Sequence, residues 1–143
     1  MSNVRVKKRN GSIEPMNLEK MHVMVERACS DLAGVSASQV EMQSGIQFYN
    51  GITTDEIQGI LIKSASDLIS LEQPNYQYVA ARLLLFSLRK SLYGKIYEIP
   101  HLKDHIDKCV ESGVYDPAVN DKFTVGEINE LEKYLDHDRD YLF

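Results

Sequence analysis

Cysteine is scarce in this chain of 143 residues: Cys29 and Cys109 are the only two, far apart and without the spacing of a metal site. That scarcity argues for a reducing compartment and against a disulfide framework. No apolar run approaches the roughly 18 residues of a membrane span. The opening MSNVRVKKRNG is charged, with no apolar stretch behind it, so neither a membrane segment nor a secretory signal is expected. Positive charge is also short. Sixteen Lys and Arg stand against 21 Asp and Glu, a formal net charge of −5, which speaks against nucleic acid or an anionic membrane as the general partner. Finally, the chain has no GxGxxG, no Walker loop, no GxSxG and no HExxH, so the usual catalytic signatures are missing.

What is present suffices for one core, since 43% of the residues are hydrophobic. The charge is unevenly placed: Arg5, Lys7, Lys8 and Arg9 cluster at the start of an otherwise acidic chain. Such a cluster reads either as a local anion site or as a solvated basic strand. Val4 and Val6 alternate with Arg5 and Lys7, the period of a half-buried strand. Asn10-Gly11 then signals a hairpin, because both residues tolerate positive φ. Ser12–Glu14 reads as the return strand, ended by Pro15.

Four helices are predicted next. Asn17 caps the first, which carries Leu18, Met21, Val25, Ala28 and Leu32 on one stripe and stops at Gly34. Cys29 lies beside that stripe and reads as a small core residue. Ser36 and Gln39 suggest a capping box for a second helix running to about Tyr49, before Asn50-Gly51. Thr53 and Glu56 suggest another box, opening a helix with Ile57, Ile60, Leu61, Ala65 and Leu68 on one face. Pro74 and Asn75 start the fourth, apolar nearly all round from Val79 to Leu88, as befits the middle of a bundle. Arg89 and Lys90 suit the dipole at its end, near Gly94. Past Gly94 the character changes. Lys95–Pro100 is a loop, and two amphipathic helices are expected: one over about 101–112, with Leu102, Ile106 and Val110 inward, and one capped by Thr124 and Glu127, with Ile128, Leu131 and Leu135 inward. The reading is mainly α, a four-helix bundle capped by a small β-hairpin or sheet, then two helices, with residues 1–94 and 95–143 as its two parts.

Three constellations can carry chemistry. His101 and His105, four apart, can share a helical face toward a metal, but no third ligand stands at a definite spacing, so surface histidines are the better reading and no metal is expected. The acidic run Asp136–Asp140 reads as a solvated face of the last helix or a contact to whatever follows. The informative group is Lys8, Arg9, Glu14, Asn17, Lys20, Thr54 and Lys90. Lys and Arg neutralise phosphates, and Thr54 opens a helix whose free N–H groups attract anions. Glu14 can accept from the exocyclic amine of adenine, and Asn17 can both donate and accept. Each has a plainer role too: Asn17 and Thr54 as helix-end residues, Lys20 and Lys90 as surface charge.

At these residues the chain resembles the N-terminus of the large subunit of class I aerobic ribonucleotide reductase, whose first domain is the ATP cone. The segments that carry the likeness are VKKRNGSIEPMNLEKMH, IQFYNGITTDEIQ, NYQYVAARLLLFSLRKSLYG, VESGVYD and LDHDRDYLF, collinear from about Val4 to Phe143. The cone pattern also occurs in anaerobic reductases and in a transcriptional repressor, but that repressor carries a zinc ribbon before its cone, and no cysteine precedes Cys29 here. The resemblance implies a four-helix bundle under a small sheet, located in the cytoplasm (of the host cell if phage-encoded). It implies ATP or dATP, with Mg2+, as allosteric effector. It also implies two protein partners, the rest of the large subunit and the radical-bearing small subunit. By resemblance Lys8, Arg9, Thr54 and Lys90 would hold the phosphates, Glu14 and Asn17 would read the base, and Lys20 would lie near the nucleotide. Val6, Met16 and Met21 would line the pocket, with Gln58 and Ser87 close to it.

The chain departs from the family in two respects. Dated against dATP-inhibited relatives, Gln58 and Ser87 replace histidines and cannot acquire an imidazole's charge; reductases of T4-like phages are similar here. The expectation is a cone that binds nucleotide yet either fails to separate ATP from dATP or fails to turn binding into inhibition. The barrel with the catalytic cysteines, which the family carries beyond the HDRD segment, is not in this sequence, and Cys29 and Cys109 match none of those cysteines. The expectation is an excised piece or one product of a split gene. The alternative is an assembly piece of a split large subunit that has lost nucleotide regulation.

Overall fold

Residues 4–142 are described in a computed structural model; the first three residues of the opening segment, and Phe143 at the end of the resemblance, lie outside the described residues. The first strand, β1 (Arg5–Lys7), pairs antiparallel with β2 (Ile13–Pro15), Val6 standing opposite Glu14. The connection differs from a two-residue Asn-Gly turn. Gly11 N–H donates to Lys8 C=O (2.9 Å) and Lys8 N–H to Ser12 C=O (2.8 Å), so Arg9, Asn10 and Gly11 form the loop. Gly11 alone of the three has positive φ, +85°, as a turn closed by a glycine bulge requires. A third strand, β3 (Ile52–Thr53), was not evident from the sequence. It runs parallel to β1, giving the order β2-β1-β3.

Helix α1 (Leu18–Cys29) is capped by Asn17, whose side chain accepts from Lys20 N–H at 2.8 Å. It stops short of Leu32, and Asp31 (φ +60°) and Gly34 (φ +74°) turn the chain. Helix α2 (Ala37–Gly45) lacks the expected capping box and ends before Tyr49. The reason lies in the fourth helix: the buried Tyr76 hydroxyl accepts from Ser36 N–H (3.0 Å) and donates to Gln39 Oε1, taking the side chain the box needed. The box of α3 (Thr54–Asp67) is formed by Thr53 and Glu56. Helix α4 (Tyr76–Tyr93) buries Tyr76, Val79, Leu83 and Phe86, but Leu84 and Leu88 are more than half exposed, so it is not enclosed all round.

The chain divides into two compact units, Met1–Leu88 with Tyr141–Phe143, and Arg89–Asp140. The second holds α5 (Leu102–Glu111), α6 (Ala118–Lys122) and α7 (Val125–Glu132), with a 3-10 helix over His137–Leu142 that ends in the first unit. Two helices were expected in this region, and α6 and the 3-10 helix are additional. Thr124 and Glu127 do form a capping box on α7. Ile106 and Ile128 are buried, whereas Leu131 is exposed within α7, and Leu135 is exposed because α7 ends at Glu132 and cannot carry its stripe further. For the same reason the acidic run lies on the 3-10 helix, where Asp140 pairs with the buried Arg89 at 2.9 Å. No helix among the described residues is long and apolar enough to cross a membrane.

Arg82 on α4 is only 8% exposed. Its Nη1 donates to Ala28 C=O (3.2 Å) and Ser30 C=O (2.7 Å), and its Nε and Nη2 to Tyr141 C=O (3.2 and 3.1 Å). A charge so buried is stable only when its donors are satisfied. Replacing it leaves three carbonyls short of a donor, so Arg82→Leu is expected to destabilise the fold by about 2–4 kcal/mol, read as a lower urea midpoint.

Candidate functional site

The sheet register decides which side chains meet. Val6 and Ile52 pair across β1 and β3, and both are buried, so their face of the sheet is the core face. Side chains alternate along a strand, so Lys8, Ser12 and Glu14 project on that same face, and Lys8 Nζ lies 3.7 Å from Glu14 Oε2. Because β3 runs parallel to β1 and passes directly into α3, the start of α3 stands beside the end of β1, where Lys7 pairs with Thr53. Arg9, in the hairpin loop, reaches across to Asp55 in the first turn of α3: Nη2 and Nε donate to Oδ1 at 2.7 and 3.2 Å.

The first turn of α3 is half satisfied. Thr53 Oγ1 accepts from Glu56 N–H (3.2 Å), and Glu56 Oε2 accepts from Thr53 N–H and Oγ1 (2.8 Å each). These bonds, and one from the Tyr49 hydroxyl to Oε1 (2.8 Å), hold the Glu56 carboxyl below its ordinary value, the Thr53 backbone donor being the largest cause. The box leaves the N–H groups of Thr54 and Asp55 as the free donors of that turn. Free helix-start donors next to a lysine and an arginine suit an anion such as a phosphate.

The remaining candidates fall elsewhere. Asn17 and Lys20 are exposed at the start of α1, the Asn17 oxygen engaged as cap. Gln58 is buried on α3, one turn after Thr54. Ser87 is half-buried on α4 in the first unit, and Lys90, also half-buried, belongs to the second. Met16 and Met21 line a different feature, an apolar groove of about 510 Å³ between α1 and α2, together with Val4, Leu18, Met42 and Phe48. None of the cationic candidates lines that groove. His101 precedes α5 and faces Glu132, and His105 lies edge-on to Tyr93 and Tyr115, 3.5 Å from Cys109 Sγ. Sequence reasoning missed Asp55 as the partner of Arg9, since the contact depends on pairing between β1 and a two-residue strand some 45 residues on.

Residues 4–91, from β1 nearly to the end of α4, match the ATP cone domain family, and the chain belongs to that family. Along its whole length it is similar to ribonucleoside-diphosphate reductase alpha subunits. It is 48% identical over 141 residues to ribonucleoside-diphosphate reductase 1 subunit alpha of Escherichia coli (strain K12), covering 99% of this chain and 18% of that protein. It is 46% identical over 138 residues to the alpha subunit of Haemophilus influenzae, covering 96% and 18%. With that of Enterobacteria phage T4 it shares 47% over 112 residues, 77% of this chain and 15% of the relative. The chain thus spans less than a fifth of the length of these curated relatives.

Two titratable groups lie on α1. At the rim of the groove, His22 Nδ1 lies 2.7 Å from Glu41 and Nε2 3.3 Å from Glu26, raising the His22 pKa above its ordinary value, chiefly through the Glu41 hydrogen bond. A raised folded value means the bridge between α1 and α2 contributes fully below about pH 6.5 and is lost as pH rises through the folded pKa. Glu41→Gln should bring the His22 titration, followed by NMR, down toward the ordinary value. Separately, burial pushes the Cys29 thiol up to about 11, so at pH 8 Cys29 should react with a thiol reagent far more slowly than a free cysteine does.

Proposed function

We propose that this chain is the adenine-nucleotide-sensing module of a ribonucleoside-diphosphate reductase large subunit, acting in the cytoplasm to set overall activity in deoxyribonucleotide synthesis. Residues 1–94 form the cone, and residues 95–143 are a helical extension toward the catalytic barrel. The observation that carries this reading is the placement of Lys8 and Arg9 beside the free N–H groups that open α3. There the triphosphate of ATP or dATP, with its Mg2+, meets Lys8, Arg9 and Thr54. Glu14, on the same sheet face as Lys8, accepts from the adenine amine.

Nucleotide entry exchanges partners rather than creating charge: Lys8 leaves Glu14 and Arg9 leaves Asp55 for phosphate oxygens. The partners of the module are the rest of the large subunit and the radical-bearing small subunit. Gln58 and Ser87 cannot take on charge beside phosphates, so this module does not convert dATP binding into strong inhibition; potent inhibition of the assembled enzyme by low dATP would overturn that point.

The same two ion pairs favour a second reading, in which the cations are satisfied internally and the chain serves only assembly. Calorimetric titration with ATP, dATP and GTP in the presence of magnesium separates the two. The sensing module shows saturable binding of the adenine nucleotides, weakened about tenfold by Lys8→Ala or Thr54→Ala. A folded chain that binds none of them at millimolar concentration is the assembly piece.

A further inference from the structure

In the second unit, a cysteine and a histidine stand within reach of each other. His105 and Cys109 are four apart on α5, so their side chains share a face, and Cys109 Sγ lies 3.5 Å from His105 Nε2. Two tyrosines hold the imidazole in place. Tyr93, at the end of α4, meets it at 5.5 Å between ring centroids and Tyr115 at 6.3 Å, both rings nearly perpendicular to it. The ending of α5 returns Tyr115 to this position. Gly113 takes φ +75°, and the N–H groups of Val114 and Tyr115 both donate to Cys109 C=O, at 2.8 and 3.0 Å. Tyr93, His105, Cys109 and Tyr115 all belong to the second unit, and none is a candidate for the nucleotide site.

Packing alone does not use what this pair can do. With Nε2 unprotonated, the thiol donates to it; passing that proton across leaves a thiolate beside an imidazolium, the arrangement that makes a cysteine nucleophilic. The last turn of α5 is the negative end of its dipole and opposes a bare anion at Cys109, so a neighbouring imidazolium is what a thiolate there requires. The sulfur is also within reach of solvent. Cys109 is only half-buried, and the turn beside it is open, with Val114 69% exposed.

We propose that Cys109 is a reversible thiolation site, at which His105 activates the thiol toward low-molecular-weight disulfides. Cys109 Sγ attacks one sulfur of the disulfide. A new S–S bond joins that half to Cys109, the original S–S bond breaks, and the departing thiolate takes the proton held by His105. Cys109 is oxidised to a mixed disulfide while the other half of the reagent is reduced to a thiol, and excess thiol runs the exchange backwards. Cys29 provides the contrast within the same chain, because burial pushes its thiol up to about 11 and keeps it protonated.

The test is exposure of the folded chain, the same chain in urea and a His105→Gln variant to glutathione disulfide at neutral pH. Peptide mass spectrometry follows the adduct at each cysteine, with free cysteine in the same solutions correcting for the solvent. In the folded parent Cys109 should gain the adduct about tenfold faster than in urea, with Cys29 far behind, and dithiothreitol should remove it. His105→Gln should bring the Cys109 rate down to the urea value or below and leave Cys29 unchanged. If that variant fails to fold, the comparison of folded with urea-unfolded parent decides. A Cys109 that reacts no faster in the folded chain than in urea, or one whose rate is untouched in a folded His105→Gln variant, overturns the assignment and leaves the cluster as packing.

Discussion

Pairing on both sides of β1 is the constraint from which the candidate site follows. This strand has three residues, yet its backbone serves β2 on one edge and β3 on the other. The antiparallel partner fixes where Lys8 and Glu14 project; the parallel partner fixes where α3 begins. Asn50 and Gly51 hold the approach to β3 in place, the Asn50 side chain accepting from Arg5 N–H and Gly51 N–H donating to Arg5 C=O, each at 2.8 Å. Slipping β3 by one residue would turn Ile52 away from the core and carry the first turn of α3 away from Arg9. The register that keeps Ile52 buried is thus the one that brings cations and helix donors together.

Within the first unit, α4 does for the α1–α2 connection what local caps do for the other helices. Asn75 Nδ2 donates to Ala33 C=O (2.8 Å), Tyr76 engages Ser36 and Gln39, and Arg82 takes the carbonyls of Ala28 and Ser30. Three side chains of one segment thereby satisfy the end of α1, the turn and the start of α2. Two residues of the connection, Asp31 and Gly34, have positive φ, which glycine adopts freely and aspartate more readily than most residues.

Features written into neighbouring residues were legible in the sequence. Asn17, Thr53 with Glu56, and Thr124 with Glu127 each cap a helix through atoms three residues away, so their signal is local. The hairpin was visible from Asn10-Gly11, although its loop takes in Arg9. What depended on distant residues was not legible. The pattern Ser36-x-x-Gln39 looks like a box, and nothing nearby reveals that Tyr76 will claim it. The buried roles of Arg82 and Arg89 have no local signal, because their partners lie about 50 residues away. Strand β3, with two residues, has no periodicity to detect. The residue types of the candidate site could be read from the chain, but the adjacency of Arg9 and α3 is a matter of sheet register.

The strands that position Lys8 and Arg9 are two or three residues long, and so short a hairpin is held by few ladder bonds. Much of its outer surface, including Ile13, lies in solvent. Such an element belongs to the part of a domain that opens most often, exchanging its amide hydrogens while the helices stay closed. Whatever grips both the hairpin loop and the start of α3 closes that opening by mass action, so occupancy of the loop would be registered as a change in how often the sheet breathes, with no new shape required.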